Sequence, residues 1–237
     1  MLSRSQSFGI ALATLIITPT FGQTTINSSY RMVSATADAA DDFSEDIDDT
    51  NALGEYTYNA FAEATFPLLW TSSSEAYLES FVGPGMISGS GYANSSDWHP
   101  EVLANSGVEF MVEFSIDAPI GFNFDFEFDT WYSEISDLPN QFQFLLYSDS
   151  ESMVELNSTA KDFFPYDGSI HLDGVLAPGD YTLSLIAKPI VQFFHNSTFF
   201  IENSTFDFTL EIPAPSTVAA FAITAGLVGV RRRRSAG

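Results

Sequence analysis

The chain has 237 residues, no cysteine and a formal net charge of −23 at neutral pH. The lack of cysteine excludes disulfides and thiolate metal sites. The 31 acidic residues outnumber the eight basic ones, which excludes nucleic acid as a partner, because phosphate binding needs a positive surface. We therefore expect a domain stabilised by its apolar core, for which 23 phenylalanines are available.

The amino-terminal segment, residues 1–22, has the pattern of a secretory signal peptide. A basic residue precedes an apolar stretch over residues 8–17, and Thr20 and Gly22 are the small residues preferred before the cleaved bond. The stretch is shorter than the about 20 residues that a membrane-crossing helix needs. We predict a signal helix that is removed during export, with a mature chain that starts at Gln23.

Residues 23–52 are small and polar at first and then strongly acidic. In the second half, six carboxylates surround only two apolar side chains, which is typical of a linker or a solvated leading segment. Calcium prefers several oxygen ligands, but the run lacks the register and the turn glycine of a calcium loop. Calcium binding and a charged tether therefore stay open as alternatives for these six acids, which are Asp41, Asp42, Glu45, Asp46, Asp48 and Asp49.

Residues 53–212 alternate between apolar and polar side chains in several short runs. Phenylalanines occupy every second position of residues 122–128, with amide or acidic residues between them, which predicts a strand with one ring-bearing face. Residues 108–116 alternate in the same way, and the Pro/Gly break at 118–121 predicts a hairpin between the two strands. The same period returns in three further runs, at residues 142–146, 181–185 and 206–212.

Strands with one apolar face each can bury those faces only against a second sheet. The pattern therefore predicts an all-β fold, an antiparallel β-sandwich of jelly-roll type, as one domain over residues 53–212.

Catalytic motifs are missing from the sequence. The three histidines, His99, His171 and His195, are isolated, and neither a His-x-x-x-His pair nor a Gly-x-Ser-x-Gly elbow occurs. Carboxylate pairs for glycoside hydrolysis are too abundant to be a signal, because most of the acids alternate with phenylalanine on predicted strands. The sequence favours a protein without enzymatic activity and without a cofactor other than calcium, and the alternative is a secreted glycan-active enzyme.

Three aromatic residues are candidates for a carbohydrate platform: Trp98, Trp131 and Tyr132. Trp98 lies in a polar segment, and a strand would point the adjacent Trp131 and Tyr132 to opposite faces, so that one ring faces outward. The competing interpretation places these rings in the core or at its rim. A carbohydrate-binding module, with or without calcium, is therefore the alternative to a purely structural role.

The carboxyl-terminal residues 213–237 combine a proline triplet, an apolar run and an arginine cluster. A helix over residues 216–230 would be about 22 Å long at ~1.5 Å per residue, which is short for a hydrocarbon core of ~30 Å. The arginines would hold the end of the chain in the cytoplasm. The signal comprises Pro213, Ala214, Pro215, Ser216, Thr217, Arg231, Arg232, Arg233 and Arg234.

This arrangement resembles the sorting signal of bacterial PEP-CTERM proteins, with Ala214 in place of the glutamate of the Pro-Glu-Pro triplet. The resemblance implies a partner, a membrane enzyme of exosortase type, that cuts near the triplet and delivers the protein to an extracellular polysaccharide. It also implies a location in the cell envelope, at the cell surface or in the matrix, after transient anchoring by the carboxyl-terminal helix. The alternative is an ordinary tail anchor whose proline triplet only ends the last strand.

Overall fold

The computed structural model describes residues 22–39, 42–66, 70–97, 102–131, 141–149, 152–159, 166–192 and 200–213. These residues form β-strands and no helix. In chain order the strands are β1 (Thr24–Ala39), β2 (Asp42–Thr50), β3 (Gly54–Phe66), β4 (Trp70–Gly83), β5 (Met86–Asp97), β6 (Val102–Ile116), β7 (Ile120–Trp131), β8 (Gln141–Ser148), β9 (Ser152–Thr159), β10 (Tyr166–Leu176), β11 (Gly179–Lys188), β12 (Ile190–Gln192) and β13 (Phe200–Glu211).

The strands form two antiparallel sheets. The order in the first sheet is β2-β1-β6-β11-β8-β9, with the short β12 also paired to β6. The order in the second sheet is β10-β7-β13-β5-β4-β3. The apolar faces of the two sheets pack against each other in one continuous core, which confirms the predicted all-β sandwich.

Strand β7 illustrates how the sequence forms these sheets. Its residues alternate strictly between buried and exposed positions over its whole length, as predicted for residues 122–128. Phe124 and Phe126 point into the core, whereas Asp125 and Glu127 face solvent. The other runs with this period are also found in strands, namely β6, β8, β11 and β13.

Phenylalanines from the two sheets meet in the interior. Phe126 of β7 stacks on Phe144 of β8 with ring centroids 4.3 Å apart. Phe110 of β6 meets Phe208 of β13 edge to face at 5.0 Å. Such pairs contribute about 0.5–1.5 kcal/mol each beyond the burial of their surface, so this cluster of rings helps to hold the two sheets together.

The hairpin predicted between residues 108–116 and 122–128 is wrong. Strand β6 belongs to the first sheet, where it pairs with β1 and β11, and β7 belongs to the second sheet, where it pairs with β10 and β13. The turn at residues 117–119 carries the chain from one sheet to the other. Both strands have a phenylalanine-rich face, and these faces are buried by facing each other across the core rather than by pairing side by side.

Residues 23–52, expected as a linker or a leading segment, contribute two strands to the sandwich. Strand β1 pairs with β6 along almost its whole length, and β2 pairs with β1. Val33, Ala35 and Ala37 of β1 are completely buried. Alanine is a weak hydrophobic signal in a sequence, so this alternation does not stand out from the polar residues around it.

The part of the interior between β1, β3 and β4 is filled mostly by alanine and serine. Cα atoms of β1 and β3 approach within 8 Å, closer than the about 10 Å at which sheets usually pack. Ser74 of β4 donates to the carbonyl of Thr36 in β1 at 2.9 Å. The hydroxyls of Ser95 and Ser106 lie 3.0 Å apart between β5 and β6. Small side chains thus allow direct hydrogen bonds between the sheets.

Arg31 is a buried cation that ties β1 to the second sheet. Its guanidinium donates to the carbonyls of Ala52 and Gly54, the latter at 3.0 Å, and to Ser80 Oγ at 3.3 Å. It also lies 5.2 Å from the ring centroid of Tyr56. Burial lowers the pKa of Arg31. These contacts hold the turn between β2 and β3 against the core, and Gly54 supplies the positive φ of 90° in that turn.

Replacing Phe126 by alanine tests the importance of the ring cluster. Phe126→Ala should lower the free energy of unfolding by about 3–5 kcal/mol, because it leaves a cavity between the sheets. Urea unfolding of the full chain measures the change. Phe43→Ala is the matched control, since Phe43 is 60% exposed on β2 and its loss should change stability by no more than about 0.5 kcal/mol. Equal losses in the two variants would contradict this account of the core.

Candidate functional site

The solvent-facing side of the second sheet carries a line of neighbouring residues that begins at Trp131. The strand registers place five residues side by side across five strands, in the order Trp131, Asn203, Asn94, Glu75 and Phe61. The two aromatic ends are open to solvent, since Trp131 is 48% exposed and Phe61 is 52% exposed. We call these five residues the aromatic row.

Two tyrosines lie one step along the strands from the aromatic row. Tyr77 of β4 and Tyr92 of β5 are cross-strand partners whose rings stack with centroids 5.9 Å apart. The hydroxyl of Tyr92 donates to Glu75 Oε1 at 2.6 Å, and Asn59 Nδ2 donates to the same oxygen at 3.3 Å. Burial and the hydrogen bond to Glu75 raise the pKa of Tyr92 to about 12, so its hydroxyl remains a donor at neutral pH. Glu75 therefore joins the aromatic row to the tyrosine pair.

The remainder of this face is strongly acidic. Asp129 lies directly opposite Asp167, and Glu127 lies directly opposite Asp207. These four residues line a shallow groove of about 480 Å³. Like charges that face each other across an antiparallel pair are destabilising, so the protein maintains this surface at a cost in stability.

One carboxylate of this face is paired with a histidine. His171 Nδ1 lies 2.6 Å from Asp125 Oδ1, and both side chains are exposed. The hydrogen bond to Asp125 and the charge of Asp125 raise the pKa of His171. The two residues are far apart in the sequence, and only the pairing of β10 with β7 places them opposite each other.

The acidic run on β2 has an observed structural use. Asp46 accepts hydrogen bonds from the Tyr58 hydroxyl at 2.7 Å and from the backbone N–H of Phe61 at 3.1 Å. Asp42 accepts from the backbone N–H of Thr65 at 2.8 Å. Strand β2 is the edge of the first sheet and β3 is the edge of the second, so these carboxylates satisfy backbone donors on an otherwise open edge.

The same run gives no direct sign of a calcium site. Alternate residues of β2 lie on opposite faces, so that Glu45 and Asp49 point away from the side on which Asp46 and Asp48 contact β3. Across the described ranges, no group of three or more histidine and acidic side chains is arranged to hold a metal ion. A calcium role for these residues stays a prediction.

A second concave feature lies where β10 turns into β11. This groove of about 610 Å³ is lined by apolar residues such as Phe122 and Leu172 and by the carboxylates of Asp149, Asp173 and Asp180. Asp180 Oδ1 accepts a hydrogen bond from Ser115 Oγ at 2.5 Å. The sequence suggested these three acids as loop carboxylates that could be unspecific calcium ligands, but Asp173 and Asp180 lie in β10 and β11.

Several residues that the sequence singled out lie outside the described residues: residues 1–21 of the predicted signal peptide, Asp41, Trp98, His99, Tyr132, His195 and residues 214–237. Pro213 is described and is exposed two positions after the end of β13. In the part of the chain that the structure describes, no helix has the length and apolar character needed to cross a membrane.

Phe61, Tyr77 and Tyr92 were not predicted as site residues. Their alternation with buried residues could have indicated an outward direction, since Ala60, Ala62 and other neighbours on the same strands are buried. The sequence could not indicate that β3, β4 and β5 belong to the same sheet as β7. The strand that joins β5 to β7 is β13, which comes from the other end of the domain sequence.

No protein-family model and no curated protein matches this chain. Among solved structures, it is similar to a chain in the structure of infectious bursal disease virus, Gx strain, at 8% identity and a TM-score of 0.24, covering 83% of this chain and 58% of the viral one. It is also similar to the GH31 alpha-xylosidase from Xanthomonas citri, at 9% identity and a TM-score of 0.17, covering 75% of this chain and 32% of the enzyme. The chain thus spans 58% of the viral chain and 32% of the enzyme. Similarities at this level carry no argument about its function.

Nuclear magnetic resonance titration of His171 tests its contact with Asp125. We expect His171 to titrate above its ordinary pKa of 6.5 in the native chain and close to that value in Asp125→Asn. Because the pKa is raised in the folded state, the contact stabilises the fold below the ordinary pKa, and this contribution is lost as the pH rises through the raised value. Asp173→Asn is the control and should shift the pKa less, since Asp173 acts only through its charge. Identical titration of the native chain and Asp125→Asn would refute the contact.

Hydrogen exchange at the Phe61 amide tests the closure of the β3 edge. Asp46→Ala removes the acceptor for this N–H, so we expect faster exchange at Phe61 and a loss of about 1 kcal/mol in the free energy of unfolding. Glu45→Ala is the matched control, because Glu45 is the exposed neighbour on the opposite face of β2. Equal exchange rates in the two variants would show that the carboxylate does not protect the edge.

Proposed function

We propose that this chain is an exported protein of bacterial type that acts without catalysis as a structural or adhesive component of the cell envelope, cell surface or exopolysaccharide. The observation that supports this most directly is that the folded domain begins and ends next to the two predicted targeting signals. Strand β1 begins at Thr24, next to the proposed mature start at Gln23, and β13 ends at Glu211, two residues before Pro213.

The start of the domain supports cleavage before Gln23. The backbone nitrogen of Gln23 donates to Asp117 Oδ1 at 2.5 Å, and the N–H of Asp117 donates back to the carbonyl of Gln23 at 3.3 Å. Cleavage at this point would turn that nitrogen into an ammonium group beside a carboxylate, which strengthens the hydrogen bond. The mature amino terminus would then be fixed to the turn between β6 and β7.

The carboxyl-terminal signal supplies the partner in this proposal. An exosortase-type enzyme would act near the triplet that contains Ala214, after residues 218–230 have held the chain in the membrane. Neither the sandwich nor this route requires a cofactor, and calcium would act only by associating with the acidic surface.

The fold class that we propose is the jelly-roll. Its support is the strand order, because β5-β13-β7-β10 in one sheet lies over β6-β11-β8-β9 in the other. From β5 to β8, consecutive strands alternate between the sheets, and β8 and β9 then form a hairpin. Jelly-rolls are common in capsid and lectin domains, and this likeness of architecture carries no activity.

A carbohydrate-binding module is the second candidate function. The exposure of Trp131 favours it, since a ring that is 48% exposed at the end of β7 is open to a ligand. This function is compatible with an adhesive role in a polysaccharide matrix.

Cell fractionation tests the proposed export. In a bacterium that has an exosortase, we expect the full chain to reach the surface or matrix, to lose its signal peptide, and to be shortened at the carboxyl terminus by about 25 residues, the length of the sorting signal. A variant that lacks residues 213–237 should be exported but fail to associate with the surface. Surface protease digestion and mass spectrometry measure both effects.

Ala214→Glu serves as the matched variant, because it restores the Pro-Glu-Pro triplet. It should be processed at least as completely as the native chain. Cytoplasmic retention of the native chain, or an identical distribution of the native and truncated chains, would overturn the proposed function.

A further inference from the structure

We propose that the aromatic row is a binding site for a neutral polysaccharide, with the sugar chain lying across the strands of the second sheet. This inference rests on the proposed matrix role and names the ligand class for it, but binding is measured on the purified protein and can fail independently of localisation. The residues that contact the sugar are those of the row together with its two neighbours: Trp131, Asn203, Asn94, Glu75, Phe61, Tyr77 and Tyr92.

The exposed rings of the row point away from the core of the sandwich. The neighbours of Trp131 and Phe61 on their strands, Thr130, Ala60 and Ala62, are buried, so the alternation of the strands directs both rings to solvent. The C–H groups on one side of a sugar ring are apolar and pack on the face of an aromatic ring, while its hydroxyls project sideways.

The dimensions of the surface suit a polymer. The row crosses five strands, so its ends are about 19 Å apart at a strand spacing of ~4.8 Å. The pair formed by Tyr77 and Tyr92 lies about 7 Å further along the strands, two residues at ~3.4 Å each. The surface is long and open, whereas sites for single small molecules are concave and enclose most of their ligand.

The groups between the rings can bind hydroxyls. Asn203 carries an amide donor and an amide acceptor. Asn94 can offer only its amide N–H groups, because its Oδ1 is buried. Glu75 is held in position because its Oε1 accepts from Tyr92 and Asn59. The contacts of the described residues leave Glu75 Oε2 available to accept from a sugar hydroxyl, and a charged acceptor makes the stronger hydrogen bond. A side chain fixed before binding also loses less entropy when the ligand arrives.

The charge of the surface selects neutral sugars. Of the lysines and arginines that the structure describes, Arg31 is buried in the core and Lys188 is paired with Glu109 on the first sheet. A uronic acid or a sulfated sugar would meet Glu75 and the carboxylates around it without a counter-charge, which disfavours such ligands. A second copy of this chain would bring the same negative surface and would be repelled in the same way.

Affinity electrophoresis of the purified full chain tests the proposal. Gels that contain dextran, mannan or galactan are the probes, and at least one of these neutral polymers should retard the protein. Because contact with the rings supports binding, Trp131→Ala and Phe61→Ala should each weaken it about tenfold. Trp131→Phe keeps a ring and should retain most of the affinity.

Tyr147→Ala is the matched control, since it removes an aromatic ring that is 39% exposed on the first sheet. It should leave retardation unchanged. Circular dichroism and the urea midpoint of Trp131→Ala and Phe61→Ala should equal those of the native chain, because both side chains are on the surface, so that lost binding cannot be attributed to lost folding.

Alginate, a polyuronate, is the charged probe and should not retard the protein in the presence of a chelator. Retardation by the neutral polymer should also be insensitive to salt, because no ion pair contributes to it. Absence of retardation in all three neutral polymers would overturn the proposal. So would retardation that both ring variants retain, or retardation by alginate alone.

Discussion

The stacking of phenylalanines between the two sheets is the interaction on which the rest of this structure depends. The chain has no cysteine, and within the described ranges its lysine and arginine side chains are limited to Arg31 and Lys188, so disulfides and ion-pair networks contribute little. The rings of Phe126 and Phe144, with centroids 4.3 Å apart, belong to opposite sheets and can be buried only if the sandwich closes. Closure of the sandwich therefore stabilises the folded state, whereas the mutual repulsion of charges in a chain with a net charge of −23 destabilises it.

The same alternation that builds the core also builds the outer surface. Each inward phenylalanine of β7 is followed by an outward polar residue, and the pairing of β7 with β10 and β13 brings Asp129 opposite Asp167 and Glu127 opposite Asp207. The resulting face is negative, and the aromatic row that crosses it contributes one carboxylate, Glu75, among uncharged residues. A surface that repels anions and carries exposed rings and amides along one line is consistent with the proposed binding of neutral polysaccharides.

The strands with large side chains were predictable, and those with small ones were not. Residues 122–128 and 108–116 were identified because phenylalanine and valine at every second position contrast with acids. Strand β1 was missed because its buried positions are largely alanine, and residues 108–128 were misassigned as a hairpin because alternation does not specify whether two strands pair or face each other. Of the candidate site, Trp131 was predicted, whereas Phe61, Tyr77 and Tyr92 were not.

By itself, the sequence determined the local period of the strands, the size of the core residues and the sign of the surface charge, because these are properties of neighbouring residues. Only the tertiary structure decided which strands are neighbours. The aromatic row brings together residues from 61 to 203, and the contact of Asp46 with β3 joins the edges of two different sheets. Such arrangements depend on strand order, and strand order is set by how all the apolar faces are buried at once rather than by any single segment.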